Sequence, residues 1–158
     1  MNRTQWYIGA PNGVVLCIRE SHPDALRGEL WHSYSTAPVP FGNAQQTVLE
    51  MEKLYDRLNF PHPGTNERSF TTPHKNGQHI TERDKVMKDE ELLSKHGDLG
   101  TFIVRVQHRQ NSSWQGRITW MEQDKTINFR SVWEMVKLIE SAVETADTST
   151  DEEESASW

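Results

Sequence analysis

Three arginines stand at a spacing that brings guanidinium groups together. Arg105 and Arg109 lie in a segment of alternating apolar and polar residues, and Arg117 lies in the next such segment. Period-two alternation places alternate side chains on one face of a strand, so the pattern predicts all three on one face of two antiparallel strands. Grouped guanidinium groups donate paired hydrogen bonds to phosphate or carboxylate. The alternative is a solvated face whose arginines pair with Glu122 or Asp124.

The turn between these two segments adds Asn111 and Ser113 to the candidate ligand-binding residues. Arg105-x-x-x-Arg109 and Asn111-x-Ser113-x-x-Gly116 resemble the RxxxR and [DN]xSxxG elements of PilZ cyclic-di-GMP receptors. The resemblance implies a nucleotide site at these residues. One residue separates the two elements here, whereas a much longer segment separates them in PilZ domains. An anion- or nucleotide-binding regulator is therefore the second functional hypothesis, behind a binding module that acts on other proteins.

The remaining reactive residue types form no catalytic or metal-binding pattern. His62, His74 and His79 share one loop, but their spacings match no compact zinc site. Cys17 has His22 and His32 near it in sequence, and a cysteine beside a histidine can act as a nucleophile. However, the sequence contains no nucleophile-elbow motif. A single cysteine also excludes an internal disulfide. The expectation is a protein without catalytic residues, metal or cofactor.

Apolar residues occur on the outer strand face of the first repeat, the face that is predicted to be exposed to solvent. Val15, Cys17 and Trp31 alternate outward beside charged residues. Such a face needs a cover. The cover is another part of the chain, a second copy of the chain or a partner protein. These three residues are accordingly the candidate interface residues.

Two segments share one layout at a constant offset of 88 residues. Residues 14–58 align with 102–146 without a gap, and apolar residues match at every structural position although few letters are identical. Repeats keep such a pattern longer than they keep identities. Each segment is predicted as strand, strand, short strand and helix. The matched glycines are Gly28 and Gly116, and the matched helix starts are Asn43 and Ser131.

These elements predict an α+β fold of two tandem βββα repeats with pseudo-twofold symmetry and helices packed on an antiparallel sheet. One βββα unit is near the lower size limit for independent folding, so the two repeats are expected to share one core. The first repeat spans 1–58, a loop or linker with a short helix from about Glu82 to His96 spans 59–99, and the second repeat spans 100–146. Residues 147–158 form an acidic tail that is expected to be disordered.

Charge and hydropathy limit the partners and the compartment. The net charge is −6, and five of the 23 acidic residues lie in the tail. The βββα order is similar to half of a double-stranded RNA-binding domain, but the charge disfavours nucleic acid. No apolar run is long enough to cross a bilayer, and the N-terminus lacks a signal pattern. The expected location is the cytoplasm, and the expected partner is a protein or a second copy.

The second repeat also carries a family resemblance. The block FIVRVQHRQNSSWQGRITW, followed by NFRS and an amphipathic helix, resembles short uncharacterised proteins of Firmicutes-type bacteria. That resemblance implies a bacterial origin and no particular activity. The leading hypothesis from the sequence is a non-enzymatic interaction module that acts through its sheet faces.

Overall fold

One antiparallel sheet of six strands, in the order β3-β2-β1-β4-β5-β6, forms the centre of the fold. The computed structural model describes residues 12–23, 25–60, 70, 80, 82–110 and 113–156, with side chains except at 82, 110 and 145–156. The strands are β1 Val14–His22, β2 Ala25–Trp31, β3 Val39–Phe41, β4 Gly100–Gln110, β5 Ser113–Trp120 and β6 Lys125–Phe129. The helices are α1 Ala44–Leu58, α2 Asp89–Leu93 and α3 Val132–Ala156.

Helices α1 and α3 cover one face of this sheet, called here the helix face. The apolar side chains of α3 recur at spacings of three and four, which is the period that buries one side of a helix. Val136, Ile139 and Val143 are buried in one cluster with Leu16 and Val104 of the central strands. This cluster is the main core, and it joins both halves of the chain.

Both long helices begin at the capping residues that the sequence predicts. The Gln46 N–H donates to Asn43 Oδ1 at 2.7 Å, and the Glu134 N–H donates to Ser131 Oγ at 3.0 Å. Each cap satisfies a backbone donor that has no partner inside the helix. The helix starts were therefore readable from residue type alone.

The opposite side of the sheet, called here the α2 face, carries a second and smaller core. Met87 and Leu92 pack there on Val15, Cys17 and Ile103, together with Met121. The sequence predicts one helix over 82–96, but the chain forms a 3₁₀ turn at Glu82–Asp84 and the five-residue α2 instead. The Val86 and Met87 N–H groups donate to the Ser33 carbonyl between these two elements, which fixes a bend there.

The central strands β1 and β4 each contain one irregularity. The β1–β2 register shifts between Ile18 and Glu20, and the β4–β5 register shifts between Val106 and His108. A bulge adds one residue to one strand, so alternation resumes on the other face beyond it. This change decides where Arg109 lies.

The α+β class, the antiparallel sheet and the helices packed on it are as predicted. Helix α3 continues to Ala156 and so includes residues 147–156 of the acidic tail. Residues 147–156 contain no glycine or proline, and a helix already nucleated on the core propagates through polar residues at small cost. Of the helices in the described residues, none combines the length and the apolar character that a membrane span requires.

Candidate functional site

Within the described residues, no helix covers the part of the α2 face that is formed by β5, β6 and the second half of β4. Arg105 is the direct cross-strand partner of Arg117, and Arg117 is the partner of Asn128. The neighbouring Val104 and Ile118 point into the helix-face core, so these three side chains belong to the α2 face. Directly opposed residues have Cβ atoms roughly 5 Å apart. Two guanidinium groups and one amide therefore form a row across three strands, called here the arginine row.

The arginine row holds two like charges that no carboxylate of the described residues compensates. In the part of the chain that the structure describes, no carboxylate is within ion-pairing distance of Arg105 or Arg117. Glu122, one of the two acids expected to pair with them, instead accepts from the Thr101 N–H. Burial raises the pKa of the Glu122 carboxyl above its usual value. Directly opposed like charges destabilise a sheet, so this pair costs stability.

Hydroxyl groups stand beside the arginine row. Thr119 and Thr126 are cross-strand partners next to Arg117 and Asn128, and their Oγ1 atoms are 2.9 Å apart. The whole surface thus presents guanidinium, amide and hydroxyl groups. These groups donate hydrogen bonds to an anion, and the guanidinium groups also carry positive charge.

Arg109 does not belong to the arginine row, so the prediction of three arginines on one face is wrong. The β4 bulge turns Arg109 to the helix face, where it is opposite Trp114 and only 4% exposed. Its Nη1 lies 2.9 Å from Asp56 Oδ1 of α1. Its guanidinium carbon lies 5.6 Å from the centre of the Tyr55 ring. Arg109 therefore joins β4 to α1.

Among the described PilZ-like residues, Ser113 lies apart from the arginine row. Asn111 lies outside the described residues, and Ser113 starts β5, where its hydroxyl is 3.4 Å from the Arg130 carbonyl. Ser113 is four residues from Arg117, which is about 13 Å along a strand. Ser113 therefore lies well away from the arginine row.

The candidate interface residues Val15, Cys17 and Trp31 are covered within the chain. Val15 and Cys17 are fully buried under Met87 and Leu92, and Lys95 Nζ lies 4.3 Å from the Trp31 ring centre. Burial raises the pKa of the Cys17 thiol to about 12, with the Glu29 charge as the next cause. A thiol in this state is not a nucleophile near neutral pH.

The histidines are dispersed among those residues that are described. His32 is buried, and desolvation followed by the Arg57 charge lowers its pKa to about 4. His22 borders a groove of about 560 Å³ that is also lined by Asn43 and two α3 carboxylates, those of Glu140 and Glu144. No three ligating side chains meet at one point in the described part of the chain. His62, His74 and His79 lie outside it.

Sequence reasoning placed Thr119 on this face but missed Asn128 and Thr126. Their position depends on the β5–β6 register, in which Gly116 is opposite Phe129. A turn at Met121–Gln123 and the left-handed Asp124, with a φ of 50°, fix this register. Asp tolerates that conformation better than most residues, so an aspartate between two strands was the available signal.

The chain matches no protein-family model, no curated protein and no solved structure. The resemblance to short bacterial proteins therefore stays a prediction.

Proposed function

We propose that the protein is a non-enzymatic binding module whose binding surface is the arginine row, and that its ligand is an acidic segment of another protein. One observation carries the proposal: Arg105 stands directly opposite Arg117 with no carboxylate of the described chain near either group. A like-charge pair at the centre of a sheet costs stability, and an anionic ligand removes that cost.

The first half of the sheet shows that a short segment can cover this part of the α2 face. There, Cys17 opposite Glu29 occupies the place that corresponds to Arg105 opposite Arg117. The chain covers that place with α2, which packs on the sheet through Leu92. The corresponding place in the second half has no such cover among the described residues. A short acidic segment from a partner fits there as α2 fits on the first half.

A small anion or nucleotide is the second candidate ligand. The geometry of the arginine row favours it, because two neighbouring guanidinium groups can each donate two parallel hydrogen bonds to phosphate oxygens. The two ligand classes differ in size. A peptide also contacts Asn128 and the two threonines along the row, whereas inorganic phosphate reaches only the arginines.

The test compares Arg105→Gln/Arg117→Gln with the wild type. The probes are a short poly-glutamate peptide, inorganic phosphate and a guanine nucleotide, measured by calorimetry at low and high salt. Peptide affinity is expected to fall about tenfold or more in the double variant, and to fall with salt in the wild type. Arg27→Gln is the matched control, since Arg27 is an exposed arginine that lies 3.7 Å from Glu20.

Stability provides a second readout. The double variant is expected to unfold at the same or a higher temperature, because it loses a repulsive pair. Loss of binding together with a gain in stability separates a binding role from a structural one. Equal binding of every probe by the double variant and the wild type at low salt contradicts the proposal. Preferential binding of phosphate or nucleotide selects the second ligand class.

We propose further that the sheet is a tandem duplication with pseudo-twofold symmetry. The register supports this at an offset of 88 residues: Ile18 opposite Gly28 corresponds to Val106 opposite Gly116. Both register shifts begin at those same two residues of β1 and β4. The close contacts correspond as well, since a Cβ on Gly28 or Gly116 lies 2.0 Å from the carbonyl oxygen of Cys17 or Arg105. An experimental structure with bulges at unrelated positions contradicts the duplication.

A further inference from the structure

The two edges of the sheet differ in whether another strand can add to them. Strand β3 has three residues and contains Pro40, which lacks the N–H that an added strand needs. Strand β6 has five residues without proline and pairs with β5 on one side only. As far as the described residues go, the β6 edge is therefore open to strand addition, and the β3 edge is impeded.

We propose that a second copy of this chain occupies the β6 edge, with the two β6 strands antiparallel across a twofold axis at Ile127. In this register Ile127 faces Ile127 of the partner subunit, and Thr126 faces Asn128 of the partner subunit. A twofold interface brings the same surface patch from each copy together. The two sheets become one, with both helix layers on the same side.

Apolar surface at the edge supports this occupant. Ile127 points to the helix face, where it is opposite the buried Ile118, yet 47% of it is exposed. A groove of about 180 Å³ runs beside it between the sheet and α3. Its walls are mainly apolar and include Trp120, Ile127 and Leu138. The partner's Ile127 lies against this groove in the proposed register, so each copy covers the exposed apolar edge of the other.

Charge complementarity fixes the register. Asp124 precedes β6 and Arg130 follows it, and both are exposed. Antiparallel pairing centred on Ile127 sets Asp124 opposite Arg130 of the partner subunit, and the twofold axis creates this pair twice. A shift of the register by two residues places Ile127 opposite Lys125 or Phe129 and separates the charges. A second copy of the same chain is thus the complementary partner.

The first experiment measures mass in solution by analytical ultracentrifugation over a range of concentrations. The wild type is expected to dimerise, Ile127→Lys to be monomeric, and Leu49→Lys to dimerise like the wild type. Leu49 is the matched control, because it is 46% exposed and lies on α1. A wild type that is monomeric throughout, a dimeric Ile127→Lys variant or a monomeric Leu49→Lys variant each overturns the proposal.

The second experiment tests the register with charge reversals. Asp124→Lys and Arg130→Glu each turn both attractive pairs into repulsive ones, and dimerisation is expected to weaken about tenfold. In a mixture of the two variants both pairs are attractive again, so heterodimers are expected by native mass spectrometry. Absence of heterodimers overturns the register. Thermal unfolding of each variant checks that it folds, and Asp124→Asn, which tolerates the left-handed turn, removes the charge without reversing it. None of these changes replaces a residue of the arginine row.

Discussion

Arg109 Nη1 on β4 lies 2.9 Å from Asp56 Oδ1 in the last turn of α1, so a buried guanidinium is joined to a partly exposed carboxylate. Removing the Asp56 carboxylate takes a hydrogen-bond acceptor away from the buried guanidinium of Arg109. We expect Asp56→Ala to lower the free energy of unfolding by about 1–3 kcal/mol in urea titrations. Lys53→Ala, which removes an exposed ion pair on the same helix, is expected to change it by less than about 1 kcal/mol. Equal effects of the two variants contradict the expectation.

Gly28 and Gly116 have no room for a side chain. A Cβ at either position lies 2.0 Å from a backbone carbonyl oxygen, that of Cys17 or of Arg105. We expect Gly28→Ala and Gly116→Ala each to cost about 1–3 kcal/mol of stability, by thermal or urea unfolding, because the strands must move apart. Gly42→Ala is the control, since the Cβ there meets only Gln46 Oε1 at 3.6 Å. A stable Gly116→Ala variant refutes the close strand approach.

His32 makes stability depend on pH. Its neutral Nδ1 accepts from the Tyr34 N–H at 3.1 Å, and burial lowers its pKa from 6.5 to about 4. The unfolded chain therefore binds a proton that the folded chain does not bind between these values. The contribution of His32 to the free energy of unfolding is fully present above pH 6.5. It is lost as the pH falls towards 4, by about 3 kcal/mol in total.

Unfolding by urea at several pH values measures this dependence. In His32→Gln the part of the pH dependence of the free energy of unfolding that is due to His32 is expected to vanish. Carboxylates still contribute to this dependence near pH 4. A wild-type slope between pH 6.5 and 5 that equals the slope of the variant rules out the role given to His32.

Local sequence patterns predicted the elements and their caps, because those depend on residue types a few positions apart. Arg109 was placed on the wrong face because a bulge at Val106–His108 shifts the alternation by one residue. Nothing in the alternation of 102–110 marks that bulge. The cover of Cys17 by Leu92 was also left open, since it joins residues far apart in the chain. Alternation placed Arg105 and Arg117 on the same face correctly, because both lie in the regular part of the hairpin, before the bulge.

Cys17 gives the molecule an internal chemical reporter. It is the one cysteine of the sequence, it is fully buried, and Met87 and Leu92 lie in the cluster above it. A thiol reagent can reach its sulfur only when the segment that carries α2 lifts from the sheet. The ratio of the labelling rate in native buffer to that in strong urea therefore gives the equilibrium constant for this local opening. The movement of α2 away from the sheet can therefore be measured without introducing another cysteine.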